Sequence, residues 1–480
     1  MKFTRGIVVI MLAMFSSPIT LAQSRQLQKT DSVYRVIKRH IITRDADAIY
    51  ELADARLKQS ITQGNFRDFL FRDLFSLGPV KKDSLLSFVN NLTATYKIQF
   101  QTLTMQLAIS LGNDNKLAYF RLEPFKVGPV EKPSLVPTSN PLKTIVDKIV
   151  DSVARRYIQK SNTVGLSIGI IKDGKVSTYN YGELKRSSGH LPGVNTIYEI
   201  GSITKTFTAT ILAYYVNDGK LSLSDPITKY LPDSVAANSA LKDITLLSLI
   251  NHTSGLASLP TNFIAQKPYS EANPYKNYTQ QLLFAYLKNC TLKSVPGKKY
   301  AYSNLAVGLL GVILEHVSGK HYEQLVSEII CRPLGMKGTV QHLYPLITTR
   351  FTTVYDEDGH ETPAWDMLNT FAAAGSLKST INDLLLYTRA NMIKADNKLS
   401  KALSLTHQVT FTNDTQLSMG LGWHIIKVDG ISYYFHNGGT GGSSSFLAYN
   451  IDRNIAIIIL SSASASTDDI GHGILRKLQK

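Results

Sequence analysis

The chain has 480 residues, 44% of them hydrophobic and 18% charged, a balance that excludes a disordered chain. That length exceeds what one hydrophobic core usually serves, so two folded units with extras are expected. The net charge of +16 permits attraction to anionic surfaces, yet the basic residues are dispersed and no nucleic-acid module accompanies them, so nucleic acid is not an expected partner.

Lys2 and Arg5 precede an apolar run from Gly6 to Phe15, and Thr20-Leu-Ala22 follows as a small-x-small cleavage site. This pattern predicts a signal peptide over residues 1–22, with a run too short to span a membrane comfortably. The expected product is exported and soluble, periplasmic or extracellular, with no integral membrane segment after cleavage. Residues 23–126 predict a small α+β accessory domain. Asp45 caps a helix carrying Ile49, Leu52 and Leu57, Phe66 to Phe75 supplies a second apolar stripe, and alternation from Tyr96 leads through the turn Asn113-Asp-Asn115 into a hairpin. Such a domain loosely resembles the cystatin-like and NTF2-like helper domains of some exported hydrolases.

Pro129, Pro133, Pro137 and Pro141 mark residues 127–141 as a semi-rigid linker, which leaves residues 142–480 as a second domain. There an amphipathic helix over 142–157 precedes two strands joined at Asp173-Gly174, and three further strands begin near Ile431, Ser443 and Asn454 before a final helix over 468–478. Pairing the early hairpin with the late strands gives one antiparallel sheet built from both ends of the domain, flanked by helices and carrying a helical subdomain between them. The fold class is therefore mixed α/β (α+β).

Three spellings fall where a cleft between sheet and helices would need chemistry. In Ser202-Ile-Thr-Lys205 a hydroxyl and an amine lie three apart on one helix face, so a lysine of lowered pKa can take the serine proton. The tetrapeptide alone is weak, because Ser239-Ala-Leu-Lys242 has the same spelling and a helix N-terminus with a solvated lysine explains either. Tyr302-Ser-Asn304 follows the turn Pro296-Gly297 and opens a helix. His436-Asn-Gly-Gly-Thr-Gly-Gly442 leads into a strand, where glycines let a substrate lie against the backbone. Cys290 and Cys331 are the only cysteines and read as buried small hydrophobes or a permitted disulfide. No histidine spacing suits a metal, and no cofactor is expected.

With these motifs stand Leu246-Leu-Ser-Leu-Ile-Asn-His-Thr-Ser-Gly-Leu256, Gly219-Lys-Leu-Ser-Leu-Ser-Asp-Pro226, Pro333-Leu-Gly-Met336, Ala373-Ala-Gly-Ser-Leu377 and Gly420-Leu-Gly-Trp423. Together they resemble the serine β-lactamase and penicillin-binding-protein superfamily, in its class C β-lactamase, D-alanyl-D-alanine carboxypeptidase and esterase branch. The resemblance covers residues 142–480 and implies a β-lactamase/transpeptidase-like fold. It makes Ser202 the acylated nucleophile, with Lys205 and Tyr302 sharing the proton work and Asn304 donating to the acyl group. The backbone N–H groups of Ser202 and Gly439 would form the oxyanion hole, while His436, Asn437 and Gly438 would line the substrate side. Where class C β-lactamases carry Lys-Thr-Gly, this chain has His436-Asn-Gly438. A histidine with a reference pKa near ~6.5 would grip a substrate carboxylate weakly or pH-dependently. The expected activity is acyl-enzyme hydrolysis of a small ester or a D-amino-acid peptide, with peptidoglycan fragments among the candidate partners. The alternatives are a β-lactamase and an idle cell-wall-binding protein.

Overall fold

The computed structural model describes residues 21–89, 92–101, 103–125 and 136–479. The expected leader at 1–22 lies almost wholly outside the described residues, as does most of the expected linker at 127–141. The chain divides into two compact units, Met1–Gly128 and Pro129–Lys480.

In the first unit, helices Leu21–Thr43, Ala46–Glu51, Ala55–Ser60 and Gln63–Asp73 precede a four-stranded antiparallel sheet, Lys82–Val89, Thr93–Gln99, Thr104–Leu111 and Leu117–Pro124. Asp45 caps the second helix by accepting from Ala48 N. Alternation sets the sheet's inner face: Ala94, Tyr96 and Ile98 with Met105, Leu107 and Ile109 are buried against Tyr34, Ile37 and Leu70. Tyr34 and Tyr96 stack at 3.6 Å between ring centroids. The sheet is larger than the expected hairpin for two reasons. The alternating run from Tyr96 is broken near residue 100, where Phe100 N donates to Leu103 O. In addition Lys82–Val89, with Leu85 and Leu86 both exposed, carries no alternation to read.

The second unit is built on an eight-stranded antiparallel sheet in the order Phe411–Thr412, Leu417–Met419, His424–Val428, Ile431–Gly439, Ser444–Asn450, Ile455–Ser461, Gly165–Lys172, Lys175–Gly182. The early hairpin thus pairs with the late strands, Ile457 opposite Ile170. Both sheet faces are covered, so Ile455–Ser461 is apolar throughout. Its Ile455, Ile457 and Ile459 join the core beneath helices Ile145–Ile158 and Asp468–Leu478, and Ala456, Ile458 and Leu460 join the core on the opposite face. Residues 136–140 pack with this unit, since Asn140 donates its side-chain amide to Asp147 O and to the Tyr181 hydroxyl.

The helix Thr204–Asn217 lies in the second core and is buried nearly all round, its Phe207 stacked on Tyr387 at 4.1 Å. Its polar positions are satisfied internally: Thr208 donates to Ala373 O, and Thr210 to Thr206 O. Helix Asn304–Ser318 starts at the cap Ser303, which accepts from Ala306 N and donates to Ala257 O. Its Gly308 and Gly311 admit residues 370–375 at close range, for a Cβ would stand 2.7 Å from Thr370 O at the first and 2.4 Å from the Ala373 methyl at the second.

Candidate active site

Ser202 sits at the joint between a two-residue strand and the buried helix. Tyr198–Glu199 pairs antiparallel with Lys378–Ser379, Gly201 turns the chain with φ of 46°, and Gly201–Ile203 forms one 3₁₀ turn before Thr204. No side chain fits at Gly201, whose Cβ would stand 2.7 Å from Gly439 N, nor at Gly438, whose Cβ would stand 2.1 Å from Ile200 O. These two glycines bring the Ser202 turn against the strand Ile431–Gly439, and the Ser445 hydroxyl bonds Ile200 O at 2.9 Å to hold it there. Gly439 itself is exposed and has open space where its side chain would be. The backbone of Ser202 and Gly439 thus borders the same opening.

Lys205 is fully buried beneath Ser202. Its Nζ lies 2.9 Å from Ser202 Oγ, 2.8 Å from Asn304 Oδ1 and 2.6 Å from Ala374 O. Burial alone holds the amine well below the ordinary lysine range. The Tyr302 ring stands over this amine, 4.9 Å from centroid to Nζ. Burial raises its phenol while the Ser202 hydroxyl bond opposes that rise, and the hydroxyls of Tyr300 and Tyr275 add to it. Asn304, the first residue of its helix, turns its carbonyl to Lys205 and reaches the Tyr275 hydroxyl with its amide.

His436 departs from its expected place. Its ring is 1% exposed, its Nδ1 lies 2.6 Å from the carbonyl of Asn437, and its Nε2 is buried with no partner among the described residues. Burial, with Lys205 and His424 nearby, pushes its pKa well below 6.5, so protonation near neutrality does not occur. The cleft, about 590 Å³, is lined instead by the residue after it, Asn437, along with Ser202, Tyr300, Tyr302, Gly438, Gly439 and His424. Asn437 donates its amide to both oxygens of Asp468, at 2.9 and 3.1 Å.

Several contributors lie outside the three spellings that carry the chemistry. His252 packs on Tyr302 at 4.4 Å, and His424 lies 4.9 Å from His436 and bonds the Tyr300 hydroxyl at 2.8 Å. Burial holds His424 down at about 4. Glu199 accepts from Trp365 N at 2.7 Å, from the Thr440 hydroxyl at 2.8 Å and from the Ser443 hydroxyl at 3.3 Å, facing Lys378 across the strand pair. Its place three residues before Ser202 was the only sequence signal. Ser239 and Lys242, the second match to the tetrapeptide, are both exposed and lie outside the site. Cys290 and Cys331 are buried and free. Among the described residues no group of side chains is arranged to hold a metal ion. A larger cavity of about 880 Å³ lies at residues 193–196 and Arg350, but its buried carboxylate, Asp383, is taken by Lys337 N, Gly338 N and the Thr339 hydroxyl.

A mixed α/β fold with a buried lysine under a serine at the end of an antiparallel sheet defines a serine hydrolase class. The chain belongs to the beta-lactamase family, whose model matches residues 150–479. Among its relatives, a beta-lactamase of Pseudomonas fluorescens is 28% identical over 70% of this chain and all of the relative. A D-alanyl-D-alanine-carboxypeptidase/endopeptidase, AmpH of Escherichia coli K12, is 29% identical over 66% of this chain and 84% of its own length. A solved class C beta-lactamase superposes with a TM-score of 0.62 at 26% identity, covering 70% of this chain and 98% of that one.

Proposed function

We propose that this chain is an exported hydrolase that works through an acyl-enzyme on Ser202, acting on a small ester or a D-amino-acid peptide. The observation that carries the reading is the set of partners around Lys205. A neutral amine has two N–H bonds, and Asn304 Oδ1 and Ala374 O are there to accept both. Its lone pair is then left for the proton of Ser202, 2.9 Å away. Tyr302, in contact with both groups, returns a proton to the leaving group, and the N–H groups of Ser202 and Gly439 stabilise the oxyanion. Asn304 holds the lysine by its carbonyl and offers its amide to the acyl group.

Export rests on the N-terminal pattern, and among the described residues no helix is long and apolar enough to cross a membrane. The division into leader to residue 22, accessory domain over 23–126, linker over 127–141 and hydrolase domain from 142 is part of the same reading. The break between compact units after Gly128 supports it. A β-lactamase is the second reading, favoured by the names of the Pseudomonas relative and the solved class C enzyme. An idle cell-wall-binding protein is disfavoured by the intact arrangement of Ser202, Lys205 and Tyr302. The mature chain and Ser202→Ala are to be incubated with a fluorescent penicillin, p-nitrophenyl acetate and D-alanyl-D-alanine peptides. Ser202-dependent label or turnover is expected, and the absence of both with every compound refutes the hydrolase reading.

A further inference from the structure

The cleft beside Ser202 has a consistent electrostatic character along the strand Ile431–Gly439. Among the described residues no lysine or arginine lines it. Lys205, the amine behind it, is fully buried and held by three oxygens. The histidines do not supply the missing charge. His436 lies with Nδ1 on a carbonyl oxygen, so that nitrogen carries the proton and the buried, unpartnered Nε2 is a lone pair; adding a second proton there would strand a buried cation. His424 is nine-tenths buried, lies ring to ring with His436 at 4.9 Å and shares its Nε2 with the Tyr300 hydroxyl.

Asn437 sharpens this character. Its side chain is the polar group of the strand that lines the cleft, and its amide donates to the Asp468 carboxylate through both oxygens. What remains on Asn437 is its Oδ1, an acceptor with no partner among the described residues. The opening next to Gly439 therefore shows an acceptor with a carboxylate directly behind it, while Leu417, Ile426 and Phe435 supply an apolar wall. A substrate carboxylate placed there would meet neutral hydroxyls, those of Ser444, Ser464 and Ser466, but no cationic side chain among the described residues, and would be repelled by Asp468 and lose water against the apolar wall.

Building on the Ser202 hydrolase reading, we infer that the cleft selects acyl donors whose group beside residues 431–439 is uncharged or cationic and rejects those carrying a carboxylate, with Asp468 as a specificity-determining residue acting through Asn437. Neutral esters and amides are the favoured class. Peptides with a free C-terminal carboxylate and β-lactams, whose carboxylate sits beside the scissile bond, are disfavoured.

Three esters of phenylacetic acid, with phenol, 3-hydroxybenzoate and 3-(aminomethyl)phenol, place a neutral, an anionic and a cationic group at one position on the leaving group. With the full mature chain, kcat/KM for the anionic ester is expected at least tenfold below that of the neutral one, with the cationic ester at or above neutral. Asp468→Asn should narrow the anionic-to-neutral gap at least threefold. Asp469→Asn, which removes the same charge from the exposed next residue, should leave the gap as it was. In the unmodified chain, raising salt from 20 mM to 500 mM should narrow the gap as well, a readout independent of how the variants fold. Equal or faster turnover of the anionic ester, or a gap that neither Asp468→Asn nor salt moves, overturns the inference. If none of the three esters is hydrolysed and Ser202 takes no label, the hydrolase reading itself has failed.

Discussion

Replacing Glu199 by glutamine separates geometry from charge at a point that supports Ser202 from behind. Both Glu199 and Lys378 are 3% exposed. Burial raises the carboxyl and lowers the amine, each offset in part by the charge of the other. Glutamine keeps an oxygen for Trp365 N, and the Ser443 hydroxyl can rotate to accept from its amide, whereas Thr440 Oγ1 already accepts from Gly442 N and Ser443 N. Most of the hydrogen bonding therefore survives and the charge does not. Lys378 is left with the carbonyls of Gln341 and Trp365 at 3.1 and 3.3 Å and only the weaker, more distant charges of Asp366 and Glu323. Stranding a buried charge in this way costs about 3–5 kcal/mol. For a unit of roughly 350 residues, with an unfolding entropy of about 2.1 cal/mol/K per residue, that lowers Tm by about 4–7 °C. Lys378→Met in the same background removes the stranded charge and should restore more than half of the loss. The assay is thermal unfolding at pH 7 of the parent, both single variants and the double, following the transition of the hydrolase unit. A Glu199→Gln variant within 1 °C of the parent, or a double variant no more stable than Glu199→Gln, would falsify the reasoning.

Lys205→Ala should lower the acylation rate by about 10²–10⁴ with the fold retained, as loss of a general base does. Because burial lowers the pKa of Lys205, the amine is neutral and competent above that pKa, so ester hydrolysis should fall as pH drops through it. Stability should also fall with acid. His424 has a folded pKa of about 4 against about 6.5 unfolded, so the unfolded chain binds more protons between these values and stability is lost there at up to about 1.4 kcal/mol per pH unit. Melting curves from pH 7 to pH 4 read this slope, which His424→Gln should flatten. Gly311→Ala would press a methyl 2.4 Å from that of Ala373 and displace the segment whose Ala374 O holds Lys205, at about 1–3 kcal/mol in stability. A variant that keeps both Tm and acylation rate would refute that coupling.

What the sequence disclosed depended on how locally each feature is encoded. Ser202 and Lys205 were legible because a helix brings residues three apart to one face, and the hairpin and late strands because each is long and buried. The outer strands Phe411–Thr412, Leu417–Met419 and His424–Val428 were not, being two to five residues long with no sustained alternation. Nor does local order reveal that His252, His424 and His436 meet around Tyr302, since tertiary folding alone joins them.

His436 is the instructive error. Motif position placed it on the substrate side, but the functional sense of a histidine depends on solvent access, which a motif does not encode. The sequence expectation assigned it a titration near ~6.5, the value of a hydrated imidazole. In the fold its Nδ1 is tied to a backbone carbonyl and its Nε2 is shut away from water, so it fills the space behind Tyr302 as a neutral ring. The polar choice at the cleft passes to Asn437, and through it to Asp468, thirty-one positions later. A residue identity that first read as a weakened grip on carboxylates lies, once its surroundings are counted, behind a cleft that no cationic side chain among the described residues lines.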